Sequence, residues 1–218
     1  MEGGGTLAEF DLERISMYID ILQRWNARLN LTAIRDEREI VTRHFGESLF
    51  VASKLFPHQT GTAADGARSG SESKCLVADV GSGAGFPGIP IKIWHPHIFV
   101  TLIEANYRKS VFLREVVRAL ELKDAEVRNE RAESVPAGTF HLVTLRAVER
   151  FHEVLLPSAM LVKPAGRFAL MIGKNQEKTA RESLGTAVTW DEPISVPGSR
   201  SRVLLVGTQR GSSVASPP

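Results

Sequence analysis

Between Asp79 and Gly88 the sequence reads Asp-Val-Gly-Ser-Gly-Ala-Gly-Phe-Pro-Gly. Gly81, Gly83 and Gly85 let backbone approach a ligand closely, because glycine lacks a Cβ and tolerates positive φ. The apolar run Leu76–Val80 predicts a short strand before this turn. A helix over Phe86–Trp94, opened by Pro87, is predicted after it. Strand, glycine turn and helix together are the setting of a nucleoside or phosphate site. The spacing alone leaves two ligand classes open, since Gly83 to Gly88 also satisfies the G-x-G-x-x-G dinucleotide fingerprint. Asp79 favours a ligand carrying a cationic amino group and a sulfonium, and it opposes a pyrophosphate. Pro87 removes an N–H that a pyrophosphate would use at the helix start. Glu104 directly follows the predicted strand Ile98–Ile103, where an acid can accept hydrogen bonds from ribose hydroxyls. These residues favour S-adenosylmethionine as a methyl donor. Asp79, Gly81, Gly83, Gly85, Glu104 and Asn106 are the candidate contacts on this side of the site.

The elements that must position these residues follow from periodicity. Ile15, Tyr18, Ile19 and Leu22 keep helical spacing, and Trp25 and Leu29 extend the stripe. A second helix is expected from about Asp36 to Leu55, stopping before Pro57. Residues 1–57 therefore read as an N-terminal helical cap. Residues 58–74 are rich in Gly, Ser, Ala and Thr and read as a flexible loop, and residues 211–218 as a disordered tail. Residues 75–210 alternate strand and helix. Further strands are expected at Ala125–Arg128, His141–Leu145 and Gly166–Ile172, and helices at Tyr107–Leu120 and at Glu149–Leu161, the latter kinked by Pro157. Thr186–Val196 and Arg202–Thr208 read as a closing antiparallel pair around Pro197-Gly198-Ser199. The expected architecture is α/β: a Rossmann-like, mostly parallel sheet with an antiparallel last strand and helices on both faces.

Composition sets outer bounds. The chain has 218 residues, 43% hydrophobic and 24% charged, with a formal net charge of +2. That is ordinary for a globular domain with a full core. The charge is too small to announce nucleic-acid binding, although a local patch can supply it. Cys75 is the only cysteine, so no internal disulfide can form, which fits a reducing compartment. No basic segment followed by an apolar core marks the N-terminus, and no apolar run is long enough to cross a membrane. A cytoplasmic monomer is expected.

The stretch Val77 to Pro90 resembles the signature turn of the RsmG (GidB) family of small-subunit ribosomal RNA guanine-N7 methyltransferases. Trp25-Asn26-Ala27-Arg28-Leu29-Asn30-Leu31-Thr32 and Arg43-His44 with Glu47-Ser48-Leu49 resemble that family's N-terminal helices. Lys109 to Leu113 with Leu122, and Leu145-Arg146-Ala147-Val148, also resemble it. The resemblance implies a class I S-adenosylmethionine-dependent fold. It implies cofactor contacts at Gly81, Phe86, Glu104, Ala132, Glu133 and Arg146, and a substrate in 16S rRNA or a small-subunit particle. Arg146, Arg43 and His44 become candidates for positioning the target base. Three departures stand out. Glu47 occupies a position where the family usually has Asp, Phe45-Gly46 replaces Ile-Leu, and Ile172 replaces a lysine for which Lys174 is the nearest substitute.

Guanine N7 carries an available lone pair, so its methylation needs alignment rather than a base, a metal or a covalent cysteine. Phosphate contacts are expected among Arg28, Arg35, Arg38 and Arg43 on the cap and Arg108 and Lys109 beside the turn. On the residues alone a solvated face is the default reading of each cation, and a buried structural role that of His44. A methyltransferase of protein or small molecules, a nicotinamide oxidoreductase and a non-catalytic RNA-binding module remain alternatives.

Overall fold

The N-terminal apolar stripe folds as its spacing requires. In this computed structural model, which describes residues 9–57, 74–146 and 150–210, helix α1 spans Glu9–Leu29. Ile15, Tyr18, Ile19 and Leu22 are buried along it. Acids in its first turn and Arg28 in its last complement the helix dipole. Asn30 takes a positive φ of 46° just past the end, one of the few residues that accepts this at a helix C-terminus.

The next helical stretch starts at Asp36, whose carboxylate accepts the Glu39 N–H at 2.9 Å, and stops at Leu55 as expected. Its interior is not uniform. A single turn α2 (Glu37–Glu39) passes into a π-helical segment, Ile40–Gly46, before α3 (Glu47–Leu55). Wide π turns concentrate at functional sites, and this one carries Arg43, His44 and Phe45.

The sheet strands are β1 (Leu76–Val80), β2 (Phe99–Ile103), β3 (Ala125–Arg128), β4 (Phe140–Arg146), β5 (Val162–Gly173), β6 (Val188–Trp190), β7 (Ile194–Ser195) and β8 (Arg202–Gln209). Their order is β3-β2-β1-β4-β5-β8-β6, with β7 also on β8. The first five run parallel, and β8 is antiparallel to β5. The chain winds outward from β1 through β3, then returns to place β4 on the other side of β1. That reversal opens a crevice beyond the carboxyl ends of β1 and β4, the general ligand position in such sheets.

Helices α4 (Gly88–Trp94) and α5 (Tyr107–Ala119) share one core cluster with α1 and α3 on one face of the sheet. Helices α6 (Phe151–Met160) and α7 (Lys174–Leu184) cover the other face. The cap therefore shares its core with the sheet. Among the described residues no helix is long and apolar enough to cross a membrane.

Four elements differ from expectation. Helix α4 begins at Gly88, because Phe86 is drawn into the cap and Pro87 only caps the first turn. Strand β5 starts four residues early. Residues 186–196 split into β6 and β7, interrupted at Asp191-Glu192-Pro193, and β6 pairs antiparallel with β8. Helix α7 carried little apolar signal, since only Ala180 and Leu184 are buried on it; ion pairs Glu177–Arg181 and Lys178–Glu182 line its outer side. Pro157 lies inside α6. The expected loop over 58–73, the tail 211–218 and Ala147-Val148 lie outside the described residues.

Phe112 joins α5 to the cap, with its ring 5.9 Å from Trp25 and 6.5 Å from Tyr18. Phe112→Ala should cost about 3–5 kcal/mol of stability, read as a lower midpoint in guanidinium unfolding followed by tryptophan fluorescence.

Candidate cofactor site

The turn after β1 is held from within. Gly81 and Ser82 N–H groups donate to the Ile103 carbonyl at 2.9 and 3.2 Å, and Gly85 N–H to the Ser82 carbonyl at 2.6 Å. Gly83 N–H donates to Glu104 Oε2 at 2.9 Å, and Gly88 N–H to Asp79 Oδ2 at 3.2 Å. Five N–H groups are thus already used inside the protein. A pyrophosphate cradle needs such groups aimed at the ligand. This bonding disfavours the dinucleotide alternative more directly than either Asp79 or Pro87 did.

Asp79 needs correction as a ligand contact. It is 1% exposed, and its second oxygen accepts from Thr144 Oγ1 at 2.8 Å. Burial pushes its carboxyl up to about 6, against the hydrogen bonds from Thr144 and Gly88. It braces β1, β4 and the start of α4. The acid facing the crevice is Glu104, whose Oε1 also accepts the Asn106 N–H at 2.8 Å. Each of its oxygens keeps a second lone-pair direction for a ribose hydroxyl. Asn106 itself caps α5, accepting from Lys109 N–H at 3.2 Å; its side chain has a structural use here.

Glu104 borders a cavity of about 130 Å³ with Val80, Gly81, Ala132 and Glu133 among its walls. A 3-10 turn, Ala132–Ser134, brings the last two there. Gly83, at φ +54°, has open space where a Cβ would stand, with only the Gly81 carbonyl within 4 Å, at 3.7 Å. Gly85, at φ +86°, is different: a Cβ there would strike the Tyr18 hydroxyl and Ile89 Cδ1. Gly83 leaves room for a ligand, whereas Gly85 leaves room for the cap. An open backbone face at Gly83 and a buried acid, Glu104, beside this cavity fit an adenosyl group.

Phe86 is placed away from the crevice. Its ring is sandwiched between Tyr18, 5.3 Å and 13° away, and His44, 4.7 Å and 15° away, with Phe45 edge-on at 5.1 Å. The Tyr18 hydroxyl donates to the Ala84 carbonyl. Any contact of Phe86 with a cofactor falls to its backbone. Tyr18 read in sequence as one more member of an apolar stripe; a hydroxyl at a core position was the signal that it had a polar target.

Arg146 ends β4 as expected, yet its guanidinium serves the cap. It donates to Ser48 Oγ at 3.1 Å, the Arg43 carbonyl at 2.8 Å and Glu47 Oε2 at 3.1 Å. Glu47 also pairs with Arg202 of β8. Burial lowers Arg146 to about 10, with Glu47 opposing the shift, so it stays charged. Its placement as a free base-positioning group is corrected to a bolt between sheet and cap. His44 Nδ1 lies 3.4 Å from Arg146 and Nε2 lies 2.8 Å from Thr32 Oγ1. Arginine can only donate, so Nδ1 accepts and the Nε2–H donates to Thr32. Burial, then Arg146, lowers His44 to about 3, so it is a neutral positioning residue. Ile172 is a core residue of β5, and Lys174 is exposed at the start of α7.

Of the expected RNA contacts, Arg28 and Arg108 line one groove. Lys109 is half-buried in the first turn of α5, and Arg43, Arg35 and Arg38 are exposed on the cap outside that groove. Thr144 and Arg202, which bond Asp79 and Glu47, are not marked by any motif in the sequence. A lone threonine in an apolar strand was the only cue among them.

A family model described as rRNA small subunit methyltransferase G (GidB) matches residues 11–192. The chain is 36% identical over 214 residues to the ribosomal RNA small subunit methyltransferase G of Roseiflexus castenholzii, covering 93% of this chain and 85% of that one. It is 38% identical over 197 residues to the protein of that name from Xanthomonas axonopodis pv. citri, covering 89% and 84%. Among solved structures, an Aquifex aeolicus SAM-dependent methyltransferase matches with TM-score 0.57 at 18% identity, covering 80% of this chain and 94% of that one. A ribosomal protein L11 methylase from Lactobacillus delbrueckii subsp. bulgaricus matches with TM-score 0.57 at 13% identity, covering 75% and 77%. The structures share the fold.

Two substitutions separate the roles of the glycines. Gly83→Ala should cost about 1–2 kcal/mol of stability for its positive φ and lower S-adenosylhomocysteine affinity at least ten-fold in calorimetry. Gly85→Ala should lose more stability, because its methyl displaces Tyr18. Equal stabilities, with wild-type affinity for Gly83→Ala, would remove the ligand from this turn.

His44 generates a pH prediction. Its folded pKa lies below the unfolded value of 6.5, so its contribution to stability is full above that value and is lost as pH falls below it. Asp79, raised above its unfolded 3.8, contributes with the opposite sign: its contribution is full below 3.8 and is lost as pH rises through about 6. The stability difference between wild type and His44→Gln should therefore shrink steadily from pH 7 to pH 5, as melting temperatures will read; a constant difference would refute it.

Proposed function

We propose, from the premise that the chain belongs to the rRNA small subunit methyltransferase G family, that it methylates N7 of a guanine in 16S rRNA, using S-adenosylmethionine. The observation that carries this reading is the extent of the match: residues 11–192 take in both the cap from α1 and the sheet through β6. A shared sheet alone would speak only for the cofactor. The reading places the protein in the cytoplasm, acting as a single copy on a small-subunit particle.

In this reading the backbone at Gly81 and Gly83 lies along the cofactor, Glu104 receives the ribose hydroxyls, and Ala132–Glu133 border the adenine. When bound, the cofactor supplies an electrophilic methyl group on a sulfonium. The chain's own task is alignment. Guanine N7 already presents a lone pair, and no proton has to leave it before attack. Neutral His44 and fully bonded Arg146 suit that task, because they fix the cap edge beside the turn without exchanging protons. Proximity and orientation supply about 7–11 kcal/mol in favourable cases.

Incubation with methyl-labelled S-adenosylmethionine and unmodified small subunits should place label in N7-methylguanine of the 16S rRNA. Label that survives RNase treatment of the substrate, or that appears in another base, would overturn the assignment.

A further inference from the structure

We infer that the groove between α1 and α5 holds an unpaired stretch of the substrate RNA, with Tyr107 as a stacking platform for one base; this rests on the rRNA reading above. The groove encloses about 840 Å³, and its walls include Arg24, Trp25, Arg28, Tyr107 and Arg108. Tyr107 is 67% exposed, the highest value among the exposed large hydrophobic side chains of the described residues. A ring left so open gains nothing for the fold, but it offers a face to a base. Base–aromatic stacking of this kind is tolerant of sequence and suits single strands.

The charges point the same way. Among the described residues none of Arg24, Arg28 and Arg108 takes part in an ion pair or a side-chain hydrogen bond. The one acid in the lining, Glu115, accepts the Trp25 indole N–H at 2.9 Å. Three unpaired guanidiniums beside an open aromatic match the alternation of phosphate and base along an unpaired strand. A duplex would hide its base faces from Tyr107.

Position connects the groove to the reaction. Tyr107 is the third residue after Glu104, and the intervening Asn106 donates its N–H to that carboxylate. Tyr107, the first residue of α5 and a wall of the groove, thus stands three residues from the acid that borders the crevice. A guanine that enters the crevice must leave its stack, and its unpaired neighbours then have a charged, aromatic-walled path along α1.

The test uses the full-length protein and a short fluorescent single-stranded RNA, with a hairpin duplex as control. Tyr107→Ala should weaken single-strand binding about ten-fold and raise KM for small subunits. Its kcat and its affinity for S-adenosylhomocysteine should stay at wild-type values. Tyr107→Trp should restore binding, which a purely structural role would not predict. The double variant Arg24→Ala, Arg28→Ala should flatten the dependence of log affinity on log salt by about 0.7 for each arginine removed. The inference is overturned if both variants bind the single strand as wild type does. It is equally overturned if only KM for the particle changes, which would assign the groove to a ribosomal protein. Wild-type protein that transfers no methyl to rRNA would instead sink the parent reading, and the binding measurements would still judge the groove.

Discussion

A turn that keeps one backbone face open to a ligand cannot be stabilised by side chains on that face. Here two buried carboxylates stabilise it from behind. Glu104 takes the Gly83 N–H, and Asp79 takes the Gly88 N–H together with the Thr144 hydroxyl. Their desolvation is costly unless their lone pairs are matched by donors, and the turn N–H groups provide those donors. The same bonds that satisfy the acids remove the turn from the list of anion cradles. One arrangement therefore fixes loop shape, disfavours phosphate recognition and leaves Glu104 at the crevice for hydroxyl donors.

The cap enters through the same turn. Tyr18 anchors the Ala84 carbonyl, and Phe86 leaves the turn to stand between Tyr18 and His44. Stacked rings at these distances contribute beyond their buried area. Arg146 and Arg202 then fasten Glu47 from two strands. Leaving either partner of such a buried pair alone costs about 3–5 kcal/mol. The cap is consequently part of the cofactor loop's support rather than an attachment beside it. The family match over residues 11–192 takes in both parts.

Much of this was legible in the chain, for identifiable reasons. Strands β1, β2 and β4 lie within about a residue of their apolar runs, because buried parallel strands write continuous hydrophobic segments; β3 is a half-buried edge strand that alternates Ala-Glu-Val-Arg instead. The α1 stripe was visible because one of its faces is fully buried. Helix α7 was not, since two buried residues over three turns leave no period to read. Within the candidate site, the position of the glycine turn and of Glu104 at the ends of β1 and β2 followed from the strand runs. The direction of a side chain did not: Asp79 turned inward, Phe86 joined the cap, and Arg146 reached across to α3. Those choices depend on partners distant in sequence, such as Thr144, Tyr18 and Glu47, which no local spacing reports.

Net charge shows the same limit at the scale of the whole protein. A value of +2 describes neither the interior nor the surface. Arg146 and Arg202 are committed to Glu47 within the fold, and Asp79 and Glu104 are committed to backbone donors. Those groups largely cancel and present little field outside. Among the described residues Arg24, Arg28 and Arg108 have no such partners, and they face one groove. A weakly basic chain can thus carry a local cationic wall, because folding pairs some charges in the core and leaves Arg24, Arg28 and Arg108 along one helix interface. Recognition of a polyanion depends on that local density within a Debye length, and the sum over the sequence averages it away.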